Sequence, residues 1–258
     1  MINEKWSFAG VDLNIKNKWG IEEVLEGLGR PGLRGNNLQV PFQDGSRWIK
    51  KRFDTRKITF SMWIRGRNRA ELDENIDEFL KSVGKKGQHS LKRTKRNGEA
   101  IMASAEIYSQ ISFIRKNPGY SKFALELEMA DPFFYSLNKA SELKTVVSNE
   151  FSWQHLNPGS AMASKMRIIL SGPLSNPVLQ NTDNGIWIQY LGSIGSGEAV
   201  IFDTEKFTCK QGETNMISVI KHGGDACWMI LESGNNSMKL KSDITGGSIE
   251  IQYYPPYF

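Results

Sequence analysis

Hydrophobic and polar positions alternate with a period of two along most of this chain, and follow a helical period in one place only. The strongest alternation lies at 57–65, with Ile58, Phe60, Met62 and Ile64 on one face and Thr59, Ser61 and Trp63 on the other. That is the pattern of a half-buried β-strand. Ser121–Met129 repeats it, setting Phe123, Leu125, Leu127 and Met129 against Lys122, Glu126 and Glu128. Weaker alternation predicts a first strand over 6–15 and a second over Trp19–Leu25, entered through a turn near residue 17. Ser90–Lys95 and Ala100–Tyr108 flank Asn97-Gly98, a two-residue hairpin signal. The helical stretch is about 69–83, where Leu72, Ile76, Phe79, Leu80 and Val83 form one stripe. Asn68 suits its N-cap, acids cluster early, Lys81 sits late and Gly84 can close it.

The second half shows no helical period. Short apolar runs recur at 167–170, 178–180, 186–191, 198–203, 207–210, 216–220, 227–232, 238–241 and 247–253. Turn residues such as Gly172-Pro173, Asn184-Gly185 and Ser233-Gly234-Asn235 separate them, which is the rhythm of a sandwich or jelly roll. Residues 136–150 are weakly patterned and read as the boundary between a domain at 1–140 and another at 141–258. The expected fold is mainly β, with α+β character in the first domain.

The most distinctive window is 30–67. Turn residues Pro31-Gly32 and Gly35-Asn36-Asn37 precede a short apolar run from Leu38 to Phe42, then Asp44-Gly45 suits a tight hairpin turn. Arg47, Lys50, Lys51 and Arg52 follow, with Trp48 among them, before the strand at 57–65. The window reads as a basic hairpin projecting from about 30–56, either an ordinary solvated hairpin or an arm offered to a partner.

Composition narrows the class. With 258 residues, 39% hydrophobic and 24% charged, the chain suits one large or two ordinary globular domains. Charge is uneven: residues 1–140 hold 25 Lys+Arg and 17 Asp+Glu, against 8 and 11 in residues 141–258. Nucleic acid nearby, an acidic protein partner or a solvated face each accounts for that asymmetry. No run approaches the roughly 18 apolar residues of a membrane span. The opening MINEKWSFAGVDL lacks the apolar core of a signal peptide, so export by that route is not expected. Cys209 and Cys227 are too few for a disulfide framework and suit buried free thiols, although they could pair.

Catalytic grammar is missing. His89, His155 and His222 lack ligand spacing, and no GxSxG elbow, P-loop or HExxH appears, so no catalytic residue, metal or cofactor is expected. Asp73, Glu74, Asp77 and Glu78 suit a solvated helix face. Trp187 or Trp228 could stack a sugar on the second domain, which keeps a carbohydrate-binding adhesion module as the alternative reading. Nothing specific supports a hydrolase.

Gly32-Leu33-Arg34-Gly35, Val40-Pro41, Asp44-Gly45, Trp48, Lys51-Arg52-Phe53-Asp54 and the strand Ile58 to Ile64 resemble the distal tail protein family of long non-contractile-tailed bacteriophages. Glu71-Leu72, Asn75-Ile76 and Asp131-Pro132-Phe133-Phe134-Tyr135 keep the family's order. So do Gly172-Pro173, Asn176-Pro177, Gly185, Gly197-Glu198, Asp203, Trp228, Gly234-Asn235 and Ile251–Pro255, so the resemblance runs over nearly the whole chain. It implies a structural protein of the virion tail tip, assembled in the host cytoplasm as a homo-hexameric ring. Such a ring joins the tail tube protein to the tail-associated lysin or receptor-binding proteins, and DNA passes through its lumen. It further implies a β-sandwich-like ring domain whose extended hairpin embraces the neighbour, and a galectin-like jelly roll facing outward. The expected subunit contacts are Leu33, Arg34, Arg47, Trp48, Lys50, Lys51 and Arg52. No large insertion accompanies the second domain, which argues against a direct receptor role.

Overall fold

The computed structural model describes residues 4–224 and 228–258, and the chain forms two compact units, 1–135 with Phe258, and 136–257. In the first, β1 (Lys5–Phe8), β2 (Val11–Asp12), β3 (Trp19–Glu26), β4 (Leu33–Arg34), β5 (Arg52–Phe53) and β6 (Arg56–Arg65) precede α1 (Arg69–Val83). β7 (His89–Thr94), β8 (Ala100–Ile107), β9 (Ile114–Asn117) and β10 (Tyr120–Met129) follow, and β11 (Phe134–Ser136) closes the segment. The main path is β2-β1-β7-β8-β10-β6-β3. Only Ile107 and Glu106 of β8 reach β10, so the path bends there and folds over one core.

β6 and β10 form the backbone of that core, in register from Arg56 opposite Met129 to Arg65 opposite Tyr120. Their alternation places Ile58, Phe60, Met62, Ile64, Phe123, Leu125, Leu127 and Met129 inside, all buried. Each such side chain contributes about 1.5–3 kcal/mol over its exposed state. α1 lies on this layer through Leu72, Phe79 and Val83; Phe79 meets Trp19 and Phe123 edge-on at 5.4 and 5.0 Å. Asn68 caps α1 by accepting from Glu71 N at 2.9 Å. Gly84 ends it with an ordinary negative φ, donating to Leu80 O at 2.7 Å.

The expected single strand over 6–15 is instead a tight hairpin. Ala9 (φ 52°) and Gly10 (φ 83°) both take left-handed conformations, the requirement of a type I′ turn, and Leu13 N returns to Trp6 O.

The second unit is a sandwich. It comprises β12 (Ala140–Thr145), β13 (Glu150–Asn157), β14 (Met166–Ser171), β15 (Leu174–Ser175), β16 (Val178–Asn181), β17 (Ile186–Tyr190), β18 (Ser193–Ile194), β19 (Ala199–Asp203), β20 (Thr208–Gln211), β21 (Thr214–Asn215), β22 (Ile220–Gly223), β23 (Gly234–Lys241) and β24 (Ser248–Tyr253). A six-stranded sheet, β12-β24-β14-β19-β20-β21, faces a five-stranded one, β13-β23-β16-β17-β22. Ile168, Leu170, Val200, Phe202, Ile249 and Ile251 from the first pack with Leu179, Ile188, Met238 and Leu240 from the second. The mainly β architecture expected from the sequence is the one observed.

Three sequence expectations need correction here. Residues 216–220 begin as a 3-10 turn at Ile217–Val219, set by Asn215 Oδ1 accepting from Ile217 N at 3.1 Å, and the strand starts only at Ile220. The apolar run at 228–232 is no strand beyond an isolated bridge between Leu231 and Ala163. Asparagine side chains take its carbonyls instead: the buried Asn181 and the half-buried Asn184 donate to Ile230 O at 3.0 and 3.1 Å, and the buried Asn157 to Glu232 O at 3.2 Å. Such side-chain bonds compete with a ladder. The weakly patterned stretch at 136–150 contains β12 and the start of β13. Cys209 is a buried thiol whose pKa burial pushes up to about 12, and Cys227 lies outside the described residues.

Candidate functional site

The segment between β3 and β6 leaves the core, runs out and returns. Its departure depends on Gly27, at φ 93°, where a Cβ would stand 2.2 Å from the Lys57 carbonyl. Only glycine fits both the left-handed backbone and that approach.

The base of the arm is fastened in several ways. β4 and β5 pair Leu33 with Phe53 and Arg34 with Arg52, and Asp54 N donates to Gly32 O at 2.9 Å. The Phe53 ring meets Phe133 and Phe258 edge-on at 5.4 and 5.5 Å, and the Arg30 guanidinium lies 5.0 Å from its centroid. Thr55 Oγ1 donates to Glu128 at 3.1 Å. Arg56 is 3% exposed, donates from Nη2 to the Gly29 carbonyl and lies 5.6 Å from the Phe134 ring. Burial, helped by the nearby Arg93 charge, lowers the Arg56 pKa to about 10. The guanidinium therefore stays charged at neutral pH and closes both limbs onto the core.

Beyond the base, the limbs meet once more, where Leu38 and Arg47 exchange backbone bonds of 2.9 and 2.8 Å. The tip is wider than the tight Asp44-Gly45 turn expected. Gln43 N reaches back to Val40 O at 3.3 Å with Phe42 left-handed (φ 64°), and Gly45 (φ 81°) follows as a second bend.

Each residue expected at a subunit contact lies on this arm. Leu33, Arg34 and Arg52 stand on the short ladder, Arg47 at the bridge, and Trp48, Lys50 and Lys51 on the returning limb. All are exposed except the half-buried Lys51. Trp48 is 75% exposed, and Phe42 at the tip fully so. Phe42 and Leu38, which sequence reading did not assign to a contact, are exposed too and complete an apolar set with Leu33, Trp48 and Ile49. Their only signal was an apolar run between two turn clusters, which normally reads as a strand.

Residues 30–54 carry six basic and two acidic side chains. Arg34 faces Arg52 across the ladder, a like-charge pair that an acidic surface would relieve. Such a surface exists on α1. Asp73 already pairs with Arg115 at 2.6 Å and Glu78 with Lys18 at 2.5 Å, while Glu74 and Asp77 are exposed and make no ion pair among the described residues. Among the described residues no cluster of three His, Cys, Asp or Glu could hold a metal ion, and no helix is long and apolar enough to cross a membrane.

Residues 10–129 match the family described as phage tail protein RIFT-related domain, which meets the resemblance drawn from the sequence. No curated protein matches the chain. The crystal structure of phage SPP1 Dit (gp 19.1), described as a paradigm of the hub adsorption apparatus in phages infecting Gram-positive bacteria, has a similar fold. It aligns with a TM-score of 0.68 at 12% identity, over 97% of this chain and 98% of that one. A chain of the phage P2 baseplate in its activated conformation with Ca aligns at a TM-score of 0.37 and 10% identity, over 98% of each chain.

Proposed function

We propose that this chain is the structural distal tail, or baseplate hub, protein of a long non-contractile phage or prophage tail. Six copies form a ring at the tail tip, between the tail tube and the host-recognition apparatus, and DNA crosses the lumen during ejection. The protein's work is mechanical and not enzymatic. The observation that carries this reading is the arm: a base tied by Arg56, Phe53 and Asp54, and an outer part exposing Leu33, Leu38, Phe42 and Trp48 beside clustered positive charge. The shared fold with a hub protein supports the same reading.

A ring requires one patch of each subunit to meet a different patch of the next. The arm supplies one patch, and the exposed acids of α1, Glu74 and Asp77, the other. The basic first half of the chain also suits a lumen that touches DNA without reading its sequence.

Reversing Lys50, Lys51 and Arg52 together to Glu tests the pairing. The unaltered protein, imaged by negative stain and weighed by light scattering, should give an open ring near six times 29.2 kDa. The reversed variant should remain a folded monomer. Rings formed equally well by the variant would sink the arm's role.

A further inference from the structure

The inward alternation of β6 begins with a charge. Arg56 takes the position before Ile58 and Phe60 on the core side of the strand and is buried with them. Its Nη2 donates to the Gly29 carbonyl, but Nε and Nη1 are buried and meet no acceptor. The Trp6 indole Nε1–H, on β1, is buried without an acceptor as well. These side chains share one corner of the first unit's core. The Phe134 ring lies 5.6 Å from the Arg56 guanidinium and 6.1 Å from the Trp6 ring, and Phe60 meets Trp6 edge-on at 5.1 Å. Arg93, opposite Trp6 in the β1–β7 ladder, lays its guanidinium 5.3 Å from the indole.

Charge does not balance in that corner. Arg93 is matched by Glu4, which accepts from its Nε and Nη2 at 3.0 Å each. No carboxylate among the described residues pairs with Arg56, and the Arg93 charge opposes its own. A buried charge without a counter-ion is strongly unfavourable, and a buried N–H without an acceptor adds to the penalty. A water molecule would supply an acceptor and leave the charge unmatched. An anion supplies both. A monoatomic anion also accepts from any direction and requires no donor in return, which suits N–H groups set among aromatic rings. We propose that the corner between Arg56 and Trp6 binds a chloride ion, which neutralises the Arg56 guanidinium and so fastens the base of the arm at Gly29. The proposal does not rest on the ring reading, which its failure would leave intact.

Bromide in crystals of the full chain tests it directly, since anomalous scattering locates that ion. A peak within hydrogen-bond distance of Arg56 Nε or Nη1 is expected. Urea midpoints at constant sodium concentration supply a second measurement. Replacing gluconate by chloride should raise the midpoint of the parent chain in a saturable way, as a ligand that binds only the folded state does. Arg56→Gln should remove that rise, whereas Arg34→Gln, on the exposed arm, should keep it. Both measurements on the parent decide the matter even where Arg56→Gln fails to fold. No peak at Arg56, or a midpoint that does not distinguish chloride from gluconate, would overturn the proposal. A peak without the rise would mark an adventitious ion only, and a rise that survives in Arg56→Gln would place the anion elsewhere; either overturns it as well.

Discussion

Asn75 stands among the buried residues of α1 and donates from Nδ2 to the Arg65 carbonyl at 2.8 Å, tying the helix to the last residue of β6. Replacing it by Leu removes the donor of this part-buried bond. The expected loss is about 0.5–1.5 kcal/mol. A urea titration should show a lower midpoint with an unchanged slope. An unchanged midpoint would mean that the bond contributes nothing net to holding the helix.

Gly27→Ala should cost more than an ordinary loop substitution. The site needs φ 93°, and the new Cβ would meet the Lys57 carbonyl at 2.2 Å, so both backbone strain and a clash oppose it. A loss of about 2–4 kcal/mol is expected from the two together. Limited proteolysis should then cut sooner within 28–56, since the arm's exit from β3 is what shifts. Wild-type midpoint and cleavage would show that the backbone there adjusts freely.

Much of the fold was legible in the residues because burial enforces the pattern. In β6 and β10 every second side chain enters one core, and the alternation shows it directly. The helix stripe was equally plain, although Asn75 turned inward for a carbonyl and no periodicity signals that. β12 was missed because its pattern is inverted: Leu143 faces out and is exposed, while Glu142 faces in to pair with the buried His155. The false strand at 228–232 looked apolar enough, but its carbonyls go to Asn157, Asn181 and Asn184, distant in sequence. The arm's basic residues were visible as a charge run. The exposure of Phe42 and Leu38 was not, since an apolar run implies burial until the fold shows nothing covering it.

Trp48→Ala and Phe42→Ser separate folding from assembly. Both side chains are exposed in the monomer, so each substitution should stay within about 0.5 kcal/mol of the parent stability. Exposed aromatics that become buried between subunits commonly carry 2 kcal/mol or more of an interface, so assembly should weaken about thirtyfold or more. Light scattering over a dilution series measures the second effect and thermal melting the first. Intact assembly in both variants would assign the interface elsewhere.

Protonation should loosen the second unit at its sheet-to-sheet pair. His155 on β13 contacts Glu142 on β12 through Nδ1 and faces the Tyr253 hydroxyl at 3.3 Å through Nε2. Burial alone would raise the Glu142 pKa, but hydrogen bonds from Lys144 and His155 outweigh it and hold the carboxyl below its ordinary value of 4.5. A carboxyl with a lowered folded-state pKa adds stability that is complete above its unfolded-state value and is lost as pH falls through the folded one. Glu142→Gln should therefore be less stable than the parent at pH 7, and the gap should close as pH drops below about 4.5. Urea midpoints for both proteins between about pH 3 and 7 measure this. A gap of constant size across that range would assign the pair's contribution to shape and hydrogen bonding, with no part for the charge on Glu142.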